Sequence, residues 1–183
     1  IKKVANLLGN FIIRRLAEIF GLTILFSGFL LFFALASYSP EDPNFIFPKD
    51  TEIKNILGFQ GSFISDLFFQ SLGLISYIFS FTLIVTGINI FRVKEFFLII
   101  ENIFFAIIYC VPGTLFLSHF YSDAFTLYIN GNGGFIGAYF DQTFLKSLIL
   151  INETLFYYLI IAVVVILFLI SVNCRPTKFL ELI

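Results

Sequence analysis

Along this chain long apolar runs alternate with short polar breaks. Residues 16–38, 67–90, 96–118 and 154–173 hold almost no charge. As helices rising 1.5 Å per residue they reach about 30–35 Å, the thickness of a bilayer's hydrocarbon core. This predicts an all-α membrane protein with four transmembrane helices. Residues 39–66 then form an outer loop and helix start, and 119–153 an outer loop with an interfacial helix over 135–151. Residues 91–95 form a turn so short that spans two and three must be antiparallel neighbours, and 174–183 begin a linker. Pro40 closes the first span, Arg175-Pro176 stops the fourth, and Pro112-Gly113 is expected to kink the third.

Ahead of the first span, residues 1–15 place Val4, Leu7, Leu8, Phe11 and Ile12 at helical spacing beside Lys2, Lys3, Arg14 and Arg15. The expectation is a basic amphipathic helix lying on an anionic leaflet. A nucleic-acid-binding arm is the alternative, but so few cations make a poor phosphate-tracking stripe. Glu18, the first span's one charge, stands four residues after Arg14, where the two can pair.

Charge orients the bundle. Eight basic residues (Lys2, Lys3, Arg14, Arg15, Arg92, Lys94, Arg175, Lys178) flank one side, and three (Lys49, Lys54, Lys146) the other. By the positive-inside rule both termini are cytoplasmic. The outer side collects Glu41, Asp42, Asp50, Glu52, Asp66, Asp123, Asp141 and Glu153. Composition agrees with a membrane class: 59% hydrophobic, 13% charged, 28 Phe and no Trp. The chain opens on Ile1 and lacks Met, which suggests a piece of a longer protein.

The outer segments resemble each other. Gly58-x-x-Gly61-Ser62 recurs as Gly134-x-x-Gly137-Ala138 at a constant offset, with Asp66 and Asp141 following one register apart. Two parallel copies of a span-loop-span unit would produce this, and so would chance similarity of small residues.

The first half carries a more specific pattern. Ser37-Tyr38-Ser39-Pro40-Glu41-Asp42-Pro43 is followed by Asn55-x-x-Gly58-x-x-Gly61-Ser62 and then by Asp66, Gly73, Tyr77, Gly87 and Phe91-Arg92. Over residues 19–92 this resembles the N-terminal membrane domain of the FtsK/SpoIIIE family of bacterial DNA translocases. The resemblance implies a multi-pass anchor in the bacterial inner membrane at the division septum, which tethers a cytoplasmic motor and contacts other division proteins. It also implies several copies in proximity, because the family's motor is a hexamer. Tyr38, Pro40, Asp42, Pro43, Asn55, Gly58, Gly61, Asp66, Gly73, Gly134 and Gly137 are the candidate structural or interaction residues.

Catalytic searches return little. His119, the one histidine, excludes a His-rich metal centre and reads as an interfacial polar residue. There is no Gly-x-x-x-x-Gly-Lys-Ser/Thr loop for nucleotide phosphates, and Asn130-Gly131-Asn132-Gly133-Gly134 reads as a turn. Asn152-Glu153-Thr154 makes a helix cap as readily as a glycosylation sequon. Cys110 and Cys174 fall at different depths and are expected to be free thiols. Asp66, Glu101 and Asp141 are the ionisable residues closest to the bilayer, all near helix ends. Small residues at Ala17 and Gly21, at Ser76 and Ser80, and Gly73 with Tyr77 should let helices approach. No cofactor and no direct nucleic-acid contact are expected of this chain. A small transporter or channel is the alternative reading and an integral membrane enzyme a weaker one; a transporter requires Asp66 or Glu101 to line a wet cavity.

Topology has a direct test. A membrane-impermeant thiol reagent should miss Cys174 in intact spheroplasts and label it in inverted vesicles; the reverse would overturn the four-span arrangement with cytoplasmic termini.

Overall fold

The computed structural model describes residues 2–43, 52–122 and 130–173, with the side chains of 2–8 left aside. Seven helices occupy these residues: α1 Lys2–Ala36, α2 Gly58–Leu72, α3 Ile75–Val93, α4 Leu98–Phe120, α5 Gly134–Asp141, α6 Phe144–Ile151 and α7 Glu153–Ser171. Four are long and apolar enough to cross a membrane: α1 from Gly9 onward, α3, α4 and α7. The four-span, all-helical expectation holds. Cys174 and the linker lie outside the described residues.

Three boundaries differ from the sequence reading. The amphipathic segment 1–15 is not a separate helix, because α1 runs unbroken from Lys2 into the first span. Gly9-Asn10 is the only stop signal its sequence offers, and no proline enforces it. The second span begins at Ile75 and reaches Val93, displaced from 67–90, while residues 67–72 complete α2. The break is Gly73, at φ 58° and ψ −142°, a conformation for which a side chain is poorly suited. Residues 135–151 form two helices, because the Thr143 hydroxyl accepts from the Leu145 N–H (3.3 Å) and starts α6 afresh. Pro112 sits within a continuous α4. Asn152 caps α7 as expected, accepting from the Leu155 N–H at 3.1 Å.

The helices fall into two similar sets. α1 packs along α3 and α4 along α7, α2 lies against α1 and α5 against α4, and α2 touches α5. Gly58 and Gly134 open α2 and α5 with matching φ of 66° and 64°. α3 and the α7 segment both finish on a left-handed residue, Lys94 (φ 64°) and Asn173 (φ 51°). This correspondence of conformation and packing agrees with a two-copy plan in which α6 is inserted in the second copy.

Small polar residues share the interior with apolar ones, and the surface is large and apolar. Ser62, Ser65, Ser76, Ser80, Thr82, Thr86, Asn102 and Thr114 are buried, whereas Phe26, Phe81, Phe104, Ile107 and Ile166 face outward. Several buried hydroxyls return hydrogen bonds to their own helices, as Ser80 does to the Tyr77 carbonyl at 3.0 Å. Thr82 and Tyr109 share one across helices at 2.8 Å. Lipid is as apolar as leucine, so close backbone packing rather than apolar burial must hold such helices together.

α1 and α3 approach closely. A Cβ on Gly21 would lie 2.6 Å from the Phe91 nitrogen, and one on Gly87 would collide with the Leu25 backbone. At the same end Glu18 bonds Arg15 (2.5 Å) and Lys94 (2.7 Å), while Phe20 meets Phe96 at 5.5 Å. Arg15 therefore takes the place expected of Arg14, with Lys94 at the end of α3 as the second partner.

Gly87→Leu should destabilise the bundle by about 1–3 kcal/mol through forced separation of α1 and α3. Gly9→Leu should not, since nothing lies within 4 Å of that position. Unfolding titrations in mixed micelles with increasing dodecyl sulfate compare the two.

Candidate functional site

All eleven motif residues gather at the end of the bundle away from Lys94, the loop end. There the chain leaves α1 at Ala36 and must return to begin α2 at Gly58. The return is tied by Asp42, 1% exposed, whose Oδ1 accepts from the Lys54 N–H and Oδ2 from the Asn55 N–H, both at 2.8 Å. Two backbone donors on one carboxylate pin the strand of chain that arrives to the strand that departs. Ser39 and Pro40 shape the turn, with the Asp42 N–H donating to the Ser39 carbonyl at 3.2 Å.

Asn55 is the hub of the second layer. Its Nδ2 donates to the Ala34 carbonyl at 2.8 Å near the end of α1 and to Ser65 Oγ at 3.5 Å, and its Oδ1 accepts from the Leu57 N–H at 3.1 Å. Gly61 lies directly beneath: a Cβ there would run into Asn55 Oδ1 and stand 2.5 Å from Leu57 Cβ. Ser62 Oγ donates to the Pro43 carbonyl (3.1 Å), and the Ile56 N–H donates to Ser37 Oγ (3.2 Å). Tyr38 Oη donates to Asp66 Oδ1 at 3.1 Å while its ring packs on Phe69 at 4.9 Å, and Tyr77 Oη reaches the Leu35 carbonyl at 3.1 Å.

Glu41 and Lys54 form an outward ion pair (2.5 Å) over this assembly. The pairing lowers the Glu41 carboxyl below its ordinary range and raises the Lys54 ammonium above its own. Both are exposed, so solvent screens the pair.

The second copy has its own version. His119 Nδ1 meets Asp141 Oδ1 at 2.6 Å, in the place that Tyr38 and Asp66 hold in the first, and Lys146 Nζ stands 3.5 Å from Asp141 Oδ2. His119, read from sequence as an interfacial polar residue, thus has Asp141 as its partner. Gly137 and Gly133 press against the Thr114 carbonyl and Ser118 of α4. The copies join where the Leu74 N–H donates to the Asn132 carbonyl at 2.9 Å, and a Cβ on Gly134 would lie 2.6 Å from the Gly73 nitrogen. Asn132 donates its side-chain amide to the Tyr121 carbonyl, and Asn130 donates to the Gln70 carbonyl at 3.3 Å.

The motif residues are thus a framework of backbone clasps. Among the described residues no group of three or more His, Cys, Asp or Glu could hold a metal ion. Glu101 is exposed near the start of α4, and Cys110 is a buried free thiol. The sequence reading quoted Ser37 in the motif and Asn132 in a turn without assigning them contacts, and it missed Ser65. It also missed a clasp at the opposite end, where Asn102 Nδ2 donates to Thr86 Oγ1 (2.9 Å), Asn173 Nδ2 to Asn102 Oδ1 (2.7 Å) and Asn89 Nδ2 to the Val172 carbonyl (3.1 Å). Asparagine within apolar runs was the available signal, since an amide in lipid must find partners.

A fold of this kind, closed at the loop end by those motif residues, is matched by a known family. Residues 13–175 fit the family described as the 4TM region of DNA translocase FtsK/SpoIIIE. The chain belongs to that family. It is the 4TM region and not the motor domain. It is also 23% identical over 153 residues to the DNA translocase FtsK of Rickettsia typhi, an alignment that covers 84% of this chain and 20% of that protein. The chain thus spans about a fifth of that relative's length. No solved structure matches it.

Asp42→Ala should lower stability by about 1–3 kcal/mol, because two backbone donors lose their acceptor. Glu41→Gln should leave the unfolding midpoint unchanged. Gly61→Val should impair folding more than Gln60→Val does, as judged by the folded fraction recovered from detergent-extracted membranes.

Proposed function

We propose that this chain anchors a DNA-translocating ATPase in the bacterial inner membrane and directs it to the division septum, where it serves chromosome segregation and cell division. The match to the 4TM region over residues 13–175 carries this reading. The name of the Rickettsia typhi relative and the small share of it that this chain covers agree with an anchor that is one part of a larger translocase. The eight-to-three segregation of basic residues supports placing both termini in the cytoplasm, with the loop end outside.

The loop end then offers division proteins a fixed surface, since Asp42, Asn55 and Asp66 are all engaged in holding its shape. Several copies would stand together beneath a hexameric motor. Neither Asp66, bonded to Tyr38, nor Glu101, exposed on α4, supports a transport path. DNA contact and ATP hydrolysis fall to the motor in this reading.

A fusion of this chain to a fluorescent reporter in its native bacterium should concentrate at midcell, and the purified chain should hydrolyse no ATP and bind no duplex DNA. Uniform membrane fluorescence, with the full-length protein at the septum in the same strain, would place targeting elsewhere.

A further inference from the structure

The two short helices α2 and α5 do not sit on their long partners in the same way. Gly133 and Gly137 bring α5 directly onto α4, each with no room for a Cβ against the Thr114 carbonyl and Ser118. Gly61 of α2 meets Asn55 and Leu57 instead, and the Asn55 side chain is bonded to the Ala34 carbonyl of α1 at 2.8 Å. One asparagine side chain therefore stands between α2 and α1 and holds them apart. Beside it a groove of about 430 Å³ opens between the two helices.

The α1 wall of the groove is Ser27, Leu31 and Ala34, at i, i+4 and i+7, so it is one stripe of that helix. The α2 wall is likewise a stripe, Gly61, Ile64 and Phe68, and Leu83 of α3 completes the lining. No charged side chain lines it, and the Ser27 hydroxyl is taken up by the Thr23 carbonyl at 2.9 Å. Phe26, Phe29, Leu30 and Phe33 of α1 are exposed, and Leu30 also lines the groove, which makes it continuous with the lipid-facing surface. Depth follows from Arg14 and Arg15, which belong at headgroup level at the basic end. A hydrocarbon core of about 30 Å then runs along α1 from Leu16 to about Leu35. Ser27 falls about 16 Å along it, close to the midplane, and Ala34 about 10 Å further, close to the loop-side boundary. The groove thus spans the hydrocarbon of one leaflet.

We propose that this groove is a binding site for one acyl chain of a phospholipid in the loop-side leaflet. An apolar groove left empty forfeits the dispersion contacts of its walls, and among hydrocarbon tails those contacts are what packs one surface on another. An acyl chain matches the depth, the length and the lining together. A helix of a second copy, about 10–12 Å across, needs walls farther apart than one asparagine side chain sets them. With no charged wall, recognition is of the chain and not of the headgroup. The bound chain fills the space that the Asn55 spacer leaves open, so the motif framework takes part of its packing from lipid. This rests on the membrane-spanning fold and not on septal targeting, so the midcell result and the result below can fail separately.

The protein is reconstituted at high dilution into vesicles of phosphatidylcholine or phosphatidylglycerol carrying a mid-chain diazirine, irradiated, and its adducts mapped by peptide mass spectrometry. Adducts should be several-fold denser on Leu31, Ile64 and Phe68 than on Ile107 of α4 and Leu159 of α7, although Leu31 is buried and those two are exposed. The two headgroups should give the same pattern. Filling the groove by Ser27→Phe, or from the other wall by Ile64→Trp, should remove the adducts at Leu31 and Phe68 and leave those at Ile107 and Leu159. Thermal unfolding of each variant checks that the bundle is intact. Labelling of the unsubstituted protein that follows exposure alone, with Leu31 spared, would overturn the proposal. So would a pattern that changes with the headgroup, or groove adducts that fall as the protein-to-lipid ratio rises, since a second copy would then be the occupant.

Discussion

One amide hydrogen bond, from Leu74 to the carbonyl of Asn132, sits where the two halves of this protein meet, and the architecture depends on the close approach it represents. Gly73 and Gly134 flank it with positive φ and with no room for a side chain against the opposing backbone. Because Gly73 turns the chain there, α2 can stay on the loop end while α3 descends into the bundle. Because Gly134 opens α5 on the other side, the second half can bring its own short helix to the same place. In lipid an unpaired backbone group costs several kcal/mol, so an irregular turn at this depth persists only where another segment completes its hydrogen bonding.

The same constraint explains the unusual composition of the interior. With no hydrophobic driving force between helices, the bundle relies on glycine contacts at Gly21 and Gly87 and on polar side chains that meet one another. Tyr109 with Thr82 in mid-bundle, and Asn102 with Thr86 and Asn173 near the basic end, place hydrogen bonds between helices that would otherwise share only apolar surface. The Asn clasp holds the end of α7, a helix with only Ile160 and Ser171 buried along its length. Whatever follows residue 173 is thereby attached to the bundle through three side-chain amides.

The motif residues at the loop end read in this light as a closure. Asp42, Asn55 and Gly61 fasten the loop to the ends of α1 and α2. The second half uses a different pair, His119 and Asp141, for the comparable task, so the halves share a plan and differ in chemistry.

By itself the sequence determined the number of spans, their approximate lengths and the family. Those depend on the length of apolar runs and on local patterns such as Ser37 to Pro43. It also determined the recurrence of paired glycines, although the meaning of that recurrence required the matching φ values of Gly58 and Gly134. Only the tertiary structure decided where the second span begins, because residues 67–90 are apolar on both sides of Gly73 and the break is stabilised by a distant segment, Asn132. It likewise decided that Arg15 and Lys94, not Arg14, neutralise Glu18, and that His119 has Asp141 as partner. Hydropathy records how a residue interacts with lipid; which backbone or charge it meets across the bundle depends on helices brought together from distant parts of the chain.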